Sequence, residues 1–175
     1  DPSYPIHHYA PLIAGANVIK IECLSSENFL NNLNTTLTSQ KVKAVLVSFP
    51  HNPTTLTVNQ EFYDELVNLA RRYNFLIIND FAYSDIYFNE EKPPSLLNSD
   101  PQFDHTVELY SLTKGYSMAG WRVGFAVGNE SAISSLTKLK SYIDYGTFQP
   151  IQIASTVAIN ELDDYPRAVS SIYQE

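Results

Sequence analysis

The sequence predicts an α/β protein, a three-layer α/β/α sandwich built on a mainly parallel sheet. Segments 43–49 and 75–80 are apolar on successive residues, not on alternate ones, as strands buried on both faces are. Segments with apolar residues at helical intervals separate these runs, and strands alternating with helices give a parallel sheet covered on both sides. The composition supports a real core: 44% of the 175 residues are apolar, with 12 tyrosines and 9 phenylalanines, enough for one domain.

The elements follow in order. Residues 18–24 alternate apolar and polar, which predicts a half-buried strand. Ser25-Ser26-Glu27-Asn28 opens a helix that carries Phe29, Leu30, Leu33 and Leu37. The run 43–49 is a strand stopped by Pro50 and Pro53. Thr57 and Gln60 have capping-box spacing, and Phe62, Leu66, Leu69, Ala70 and Tyr73 continue as a helix. A strand over 75–80 is followed, after the aromatic run 81–87, by a polar, proline-bearing surface loop over 90–101. Strands are predicted over 106–112 and 122–128, and helices over 131–144 and 152–162. The gap between 112 and 121 is too short for a helical crossover, so the strand at Arg122 is expected to run antiparallel to a neighbour.

Charge and cysteine content exclude several classes. A net charge of −8, with only 11 scattered basic residues, argues against a nucleic-acid partner. The single cysteine, Cys23, cannot form an internal disulfide and fits a reducing cytoplasm. No apolar run reaches membrane-spanning length, and no signal-peptide pattern opens the chain. His7, His8, His51 and His105 lack metal-ligand spacing, so no metal is expected.

In open α/β sheets, ligands bind beyond the carboxyl ends of the strands. Three predicted strands end in polar residues: Asn52 after the first, Asp80 after the second, Ser111 and Lys114 after the third. A shared crevice is therefore expected for Asn52, Asp80 and Lys114. A lysine at the end of a buried strand can be stripped of water, which favours the neutral, nucleophilic amine. Its expected partner is an aldehyde cofactor, pyridoxal 5′-phosphate. Lys114 supplies the amine for a Schiff base, and Asp80 a carboxylate for the ring nitrogen. Asn52 and Tyr83 donate to the phenolic oxygen, Ser111 and Arg122 hold the phosphate, and Tyr4 covers the ring face. Taken singly, each has a plainer reading: Lys114 a solvated charge, Asp80 a turn former, Arg122 a surface partner of Trp121, Tyr83 a core aromatic, Tyr4 a turn aromatic, Asn52-Pro53 a turn pair. Only the combination points to one chemistry. His51, beside Asn52, is a further candidate to line the site.

These residues resemble the fold-type I, class I/II aminotransferases. Asn52-Pro53-Thr54, Asp80-Phe81-Ala82-Tyr83, Ser111-Leu112-Thr113-Lys114 and Gly120-Trp121-Arg122-Val123-Gly124 match that family's motifs. The three spacings, Asp80 to Tyr83, Ser111 to Lys114 and Lys114 to Arg122, recur as well. The resemblance implies an aspartate aminotransferase-like large domain, incomplete. Residues 1–175 form one unit, the central part of the cofactor-binding domain, with the small C-terminal domain absent. It implies transamination between an amino acid and a 2-oxo acid, with Lys114 as the proton-shuttling catalytic residue beside Asp80 and Tyr83, in a cytoplasmic homodimer. Segments 2–7 and 140–150 are most similar to the bacterial alanine/aspartate branch, and diaminopimelate-type enzymes are similar too. The family's glycine-rich phosphate loop and its arginine for the substrate carboxylate are expected outside this chain, so the piece alone should transaminate poorly or not at all. Two alternatives stand beside transamination: a carbon–sulfur lyase of the same fold and cofactor, and a non-catalytic module.

Overall fold

The computed structural model describes residues 1–88 and 91–174. The order of elements is α1 (Pro5–Ile13), α2 (Ser26–Ser39), β1 (Ala44–Val47), α3 (Gln60–Tyr73), β2 (Leu76–Asp80), β3 (Thr106–Ser111), α4 (Leu112–Gly115), β4 (Gly124–Gly128), α5 (Glu130–Ile143), α6 (Gln149–Glu161) and α7 (Tyr165–Gln174), with 3₁₀ turns at Leu96–Ser99 and Ala119–Trp121. Four strands form one sheet in the order β1-β2-β3-β4. The first three are parallel, with Val45 opposite Ile77 and Asp80 opposite Leu109, and β4 is antiparallel to β3, with Ser111 opposite Gly124. Helices lie on both sides of this mixed sheet, as expected from the sequence.

The larger core forms where the sequence concentrates apolar side chains. Phe29, Leu33 and Leu37 of α2 and Phe62, Tyr63, Leu66, Val67 and Ala70 of α3 pack on Val45, Val47 and Ile77. Burying one such side chain contributes about 2 kcal/mol, so this α/β layer holds the first two strands against α2 and α3. A second cluster joins Leu112, Met118 and Ala158, and it seats the short helix α4 against α6. Glycines fix the approach of β4 to β3. A Cβ on Gly124 would lie 2.5 Å from the Tyr110 carbonyl oxygen, and one on Gly128, at φ +144°, 2.2 Å from that of Thr106.

Several boundaries differ from the sequence expectation. Residues 18–24 are not a strand: among the described residues no strand pairs with them, and their ties run to the N-terminal residue, whose ammonium donates to Ile21 O and whose carbonyl accepts from Cys23 N, and to Asn28 and Asn32 of α2. Alternation without a partner edge yields extended chain, not sheet. Helix α3 is capped by Asn59, which accepts from Phe62 N at 3.1 Å, and not by a box starting at Thr57. The expected 90–101 loop contains the turn Leu96–Ser99 with Leu96 fully buried, because Glu108 accepts from Leu96 N at 2.9 Å; residue 90 lies outside the described residues. Strand β4 starts at Gly124, since Arg122 has the left-handed φ of 56°. Helices α1 and α7 were not anticipated. Pro5 at the amino end of α1 was the available signal for the first.

Candidate active site

The topology brings the candidate residues to one edge. Because β1, β2 and β3 are parallel, their carboxyl ends, Val47, Asp80 and Ser111, lie on the same side of the sheet. Asn52 follows the first, Tyr83 follows the second within a tight turn, and Lys114 follows the third inside α4. Strand β4 runs the other way, so its amino end at Gly124, opposite Ser111, brings Arg122 to this edge too. The chain from β3 to β4 doubles back there through α4 and the Ala119–Trp121 turn.

Asp80 is the best-held group. Its Oδ1 accepts from Ala82 N at 3.2 Å, and its Oδ2 lies 2.8 Å from His7 Nε2. His7 belongs to α1, and its ring meets the Tyr4 ring edge-on at 5.8 Å. Tyr4 caps the amino end of α1 and is 46% exposed. Ser48 Oγ donates to the Asp80 carbonyl at 2.9 Å, tying the segment that leads to Asn52 onto the Asp80 turn. Buried His51 bonds through Nδ1 to Thr54 Oγ1 at 2.6 Å. Burial, with the N-terminal ammonium and His7 adding, pulls the His51 pKa below the usual imidazole value.

Lys114 Nζ lies 5.4 Å from the centroid of the Tyr83 ring, a cation–π distance that joins the second and third strand ends. The lysine side chain is exposed, so it is not stripped of water as its place at a strand end suggested. Leu112 and Gly115 of its one-turn helix are buried, and Lys114 between them is turned outward. Ser111 caps that helix: its Oγ accepts from Thr113 N at 3.2 Å and donates to Thr113 Oγ1 at 2.8 Å. Ser111 Oγ also lies 3.5 Å from Val123 O, next to Arg122. Arg122 is exposed and donates to Ala119 O at 3.1 Å, leaving most of its five donors for a ligand.

The donor set fits a phosphorylated pyridine aldehyde. Each Asp80 oxygen makes one hydrogen bond and keeps a second lone pair for a ring N–H. An amine, a phenol, a hydroxyl and a guanidinium stand along the same edge. A cavity of about 600 Å³ lies elsewhere, lined by Phe81, Ser84, Asp85, Ser95, Glu108 and Tyr110, and none of the seven candidate residues lines it. His7 was missed as a partner of Asp80. Its spacing from Tyr4 is visible in the sequence, but its contact with a residue 73 positions away is not.

The mixed α/β sheet carries a lysine, an aspartate and an arginine along one edge. The chain belongs to the aminotransferase class I and II family, whose model matches residues 1–171. That family is pyridoxal phosphate dependent. Among relatives, the glutamate-pyruvate aminotransferase AlaC of Escherichia coli (strain K12) is 40% identical over 176 residues, 99% of this chain and 43% of the relative. An LL-diaminopimelate aminotransferase of Nitratidesulfovibrio vulgaris (strain DP4) is 40% identical over 177 residues, 99% of this chain and 46% of the relative. The structure of an aminotransferase from Staphylococcus aureus superimposes with a TM-score of 0.84 at 31% identity, covering 99% of this chain and 46% of that one. The chain thus spans less than half the length of these relatives.

Proposed function

We propose that this chain is the central, cofactor-binding part of an enzyme that transfers an amino group between an amino acid and a 2-oxo acid. The observation that carries the reading is the register of β2, β3 and β4, which brings Asp80, Ser111, Lys114 and Arg122 to one edge. Bound pyridoxal phosphate would supply an electron sink for the carbanion left when substrate Cα loses its proton.

The chain's own residues then have distinct tasks. Asp80, held by Ala82 N and His7, accepts the ring N–H and keeps the ring protonated. Asn52 and the Tyr83 hydroxyl bind the phenolic oxygen. Arg122 presents a planar fork to the phosphate and Ser111 a hydroxyl. Lys114 would hold the aldehyde carbon until the substrate's amine displaces it, and the freed amine would be the group placed to take the proton from substrate Cα and give it back as general base and acid. Tyr4, close to His7, covers the ring face. The relatives' names suggest glutamate with pyruvate, or LL-diaminopimelate, as first substrates to try. We further propose a homodimer working in the cytoplasm.

The test uses the full-length protein that contains this chain. Reduction with borohydride after adding pyridoxal phosphate, followed by peptide mass spectrometry, should find the label on Lys114. Lys114→Ala should abolish it, and a label on another lysine would overturn the assignment. Conversion of the cofactor to its amine form by alanine or glutamate is expected. Pyruvate and ammonia released from cysteine would instead favour a lyase.

A further inference from the structure

We propose that Asp85 is a positioning residue that sets the separation between Lys114 and the Tyr83 turn, through Tyr110 and Gly115. This rests on the reading above, in which Lys114 and Tyr83 act on one cofactor.

Asp85 touches both turns that carry those groups. It lies two residues beyond Tyr83, in the turn that follows β2, where Ile86 N donates to Tyr83 O at 3.1 Å. Its carboxylate accepts the hydroxyl of Tyr110, the residue before Ser111 in β3. The Tyr110 ring packs on Phe125 of β4 at 4.8 Å, which fixes where that hydroxyl stands. Burial first, then the neighbouring Asp85, pushes the Tyr110 pKa upward, so the phenol keeps its proton to donate across the neutral range.

The second contact is steric. Gly115, next to Lys114, is buried against Asp85: a Cβ there would lie 2.8 Å from Asp85 Cβ and 2.9 Å from its Oδ2. Residue 115 therefore rests on Asp85 as on a stop. A four-residue helix such as α4 has no stability of its own, so its position comes from what it packs on. The stop is itself held from behind. Buried Ser170 of α7 donates to the Asp85 carbonyl at 3.0 Å, the Arg167 guanidinium lies 5.1 Å from the Tyr87 ring, and Tyr165 stacks on Tyr116. With Asp85 held by Tyr110, Gly115 and Ser170, the 5.4 Å between Lys114 Nζ and the Tyr83 ring is set by one side chain.

The experiment compares Tyr110→Phe, Gly115→Ala and the double variant Gly115→Ala/Asp85→Gly in the full-length protein. The double variant removes the Asp85 atoms that the new methyl would strike. The first readout is on the cofactor-free protein: the rate at which acetic anhydride acetylates Lys114, relative to the exposed Lys138, as a function of pH. Loss of the Tyr83 contact should raise the relative rate about twofold to fivefold, as expected for a cation–π interaction of this size. The rate should stay raised in the double variant, which has lost the stop and the Tyr110 hydrogen-bond partner together; a return to the parent value there would overturn the positioning role of Asp85. The second readout is kinetic. A shift of about 1 Å at Lys114 should lower kcat on the order of 100-fold with KM within about twofold. Unchanged Lys114 acetylation in Tyr110→Phe, which removes one oxygen, or in Gly115→Ala where that variant folds, overturns the proposal. If borohydride fixes the cofactor on a lysine other than Lys114, the functional reading fails, and the acetylation result still decides the Asp85 geometry.

Discussion

His7 Nε2 and Asp80 Oδ2 lie 2.8 Å apart, joining the first helix to the end of the second strand. The imidazole side chain is 9% exposed and the carboxylate 27%, so the contact is only partly screened by water. It leaves the Asp80 carboxylate aimed by two partners before any ligand arrives.

Removing this partner should weaken cofactor binding without unfolding the protein. A hydrogen bond to a charged group contributes about 1.5–3 kcal/mol, so His7→Leu is expected to raise the Kd for pyridoxal phosphate at least about tenfold. His7→Gln, whose amide can reach the same oxygen, should retain most of the affinity. Fluorescence titration of the full-length protein with the cofactor measures both.

Arg122 separates backbone from side-chain effects. Its φ of 56° costs a non-glycine residue about 1 kcal/mol, and glycine would relieve that while losing a similar amount to unfolded-state entropy. Arg122→Gly should therefore change stability by less than about 0.5 kcal/mol in urea denaturation. Its cofactor affinity should fall at least about tenfold, and Arg122→Lys should fall between, because an ammonium lacks the planar fork.

Gly128 admits no side chain. At φ +144°, an alanine methyl would lie 2.2 Å from Thr106 O and 2.7 Å from Val107 Cα, both backbone atoms of the neighbouring strand. Gly128→Ala should destabilise the protein by more than about 3 kcal/mol. Gly120→Ala, which meets nothing within 4 Å, is the matched control and should be nearly neutral in the same urea series.

Tyr63 makes stability sensitive to alkali. Its side chain is fully buried, and neither its hydroxyl nor Asn79 Oδ1 has a hydrogen-bond partner among the described residues. Burial, then the charge of Glu108, raises its pKa far above the ordinary value near 10, and the nearby Asn79 opposes this only in part. Above pH 10 the unfolded phenol loses its proton while the folded one keeps it, so stability present below pH 10 drains away as pH rises. Tyr63→Phe should flatten that alkaline fall. At neutral pH it should match the parent or exceed it by about 1 kcal/mol, since an unpartnered buried hydroxyl is removed. Urea midpoints at pH 7 and pH 10.5 give both comparisons.

Much of the fold was legible because its signals are local. The runs ending at Phe49, Asp80 and Leu112 each carry their own strand pattern, and the short span to Trp121 announced an antiparallel return. The spacings from Asp80 to Tyr83 and from Ser111 to Lys114 are likewise local, and they nominated the site residues, whose roles the labelling experiment tests. Residues 18–24 show the limit: their alternation is correct for a strand, yet a strand exists only where another offers hydrogen bonds.

The linear order of residues was enough to choose the fold class and to nominate the groups that bear the chemistry. It could not say that His7 meets Asp80 across 73 positions, that Tyr110 meets Asp85 across 25, or that Ser170 meets Asp85 across 85. Nor could it say that Lys114 stands in solvent against one tyrosine ring. Those contacts come from chain closure around the two apolar clusters, where packing and strand register, not local preference, decide which distant side chains become neighbours.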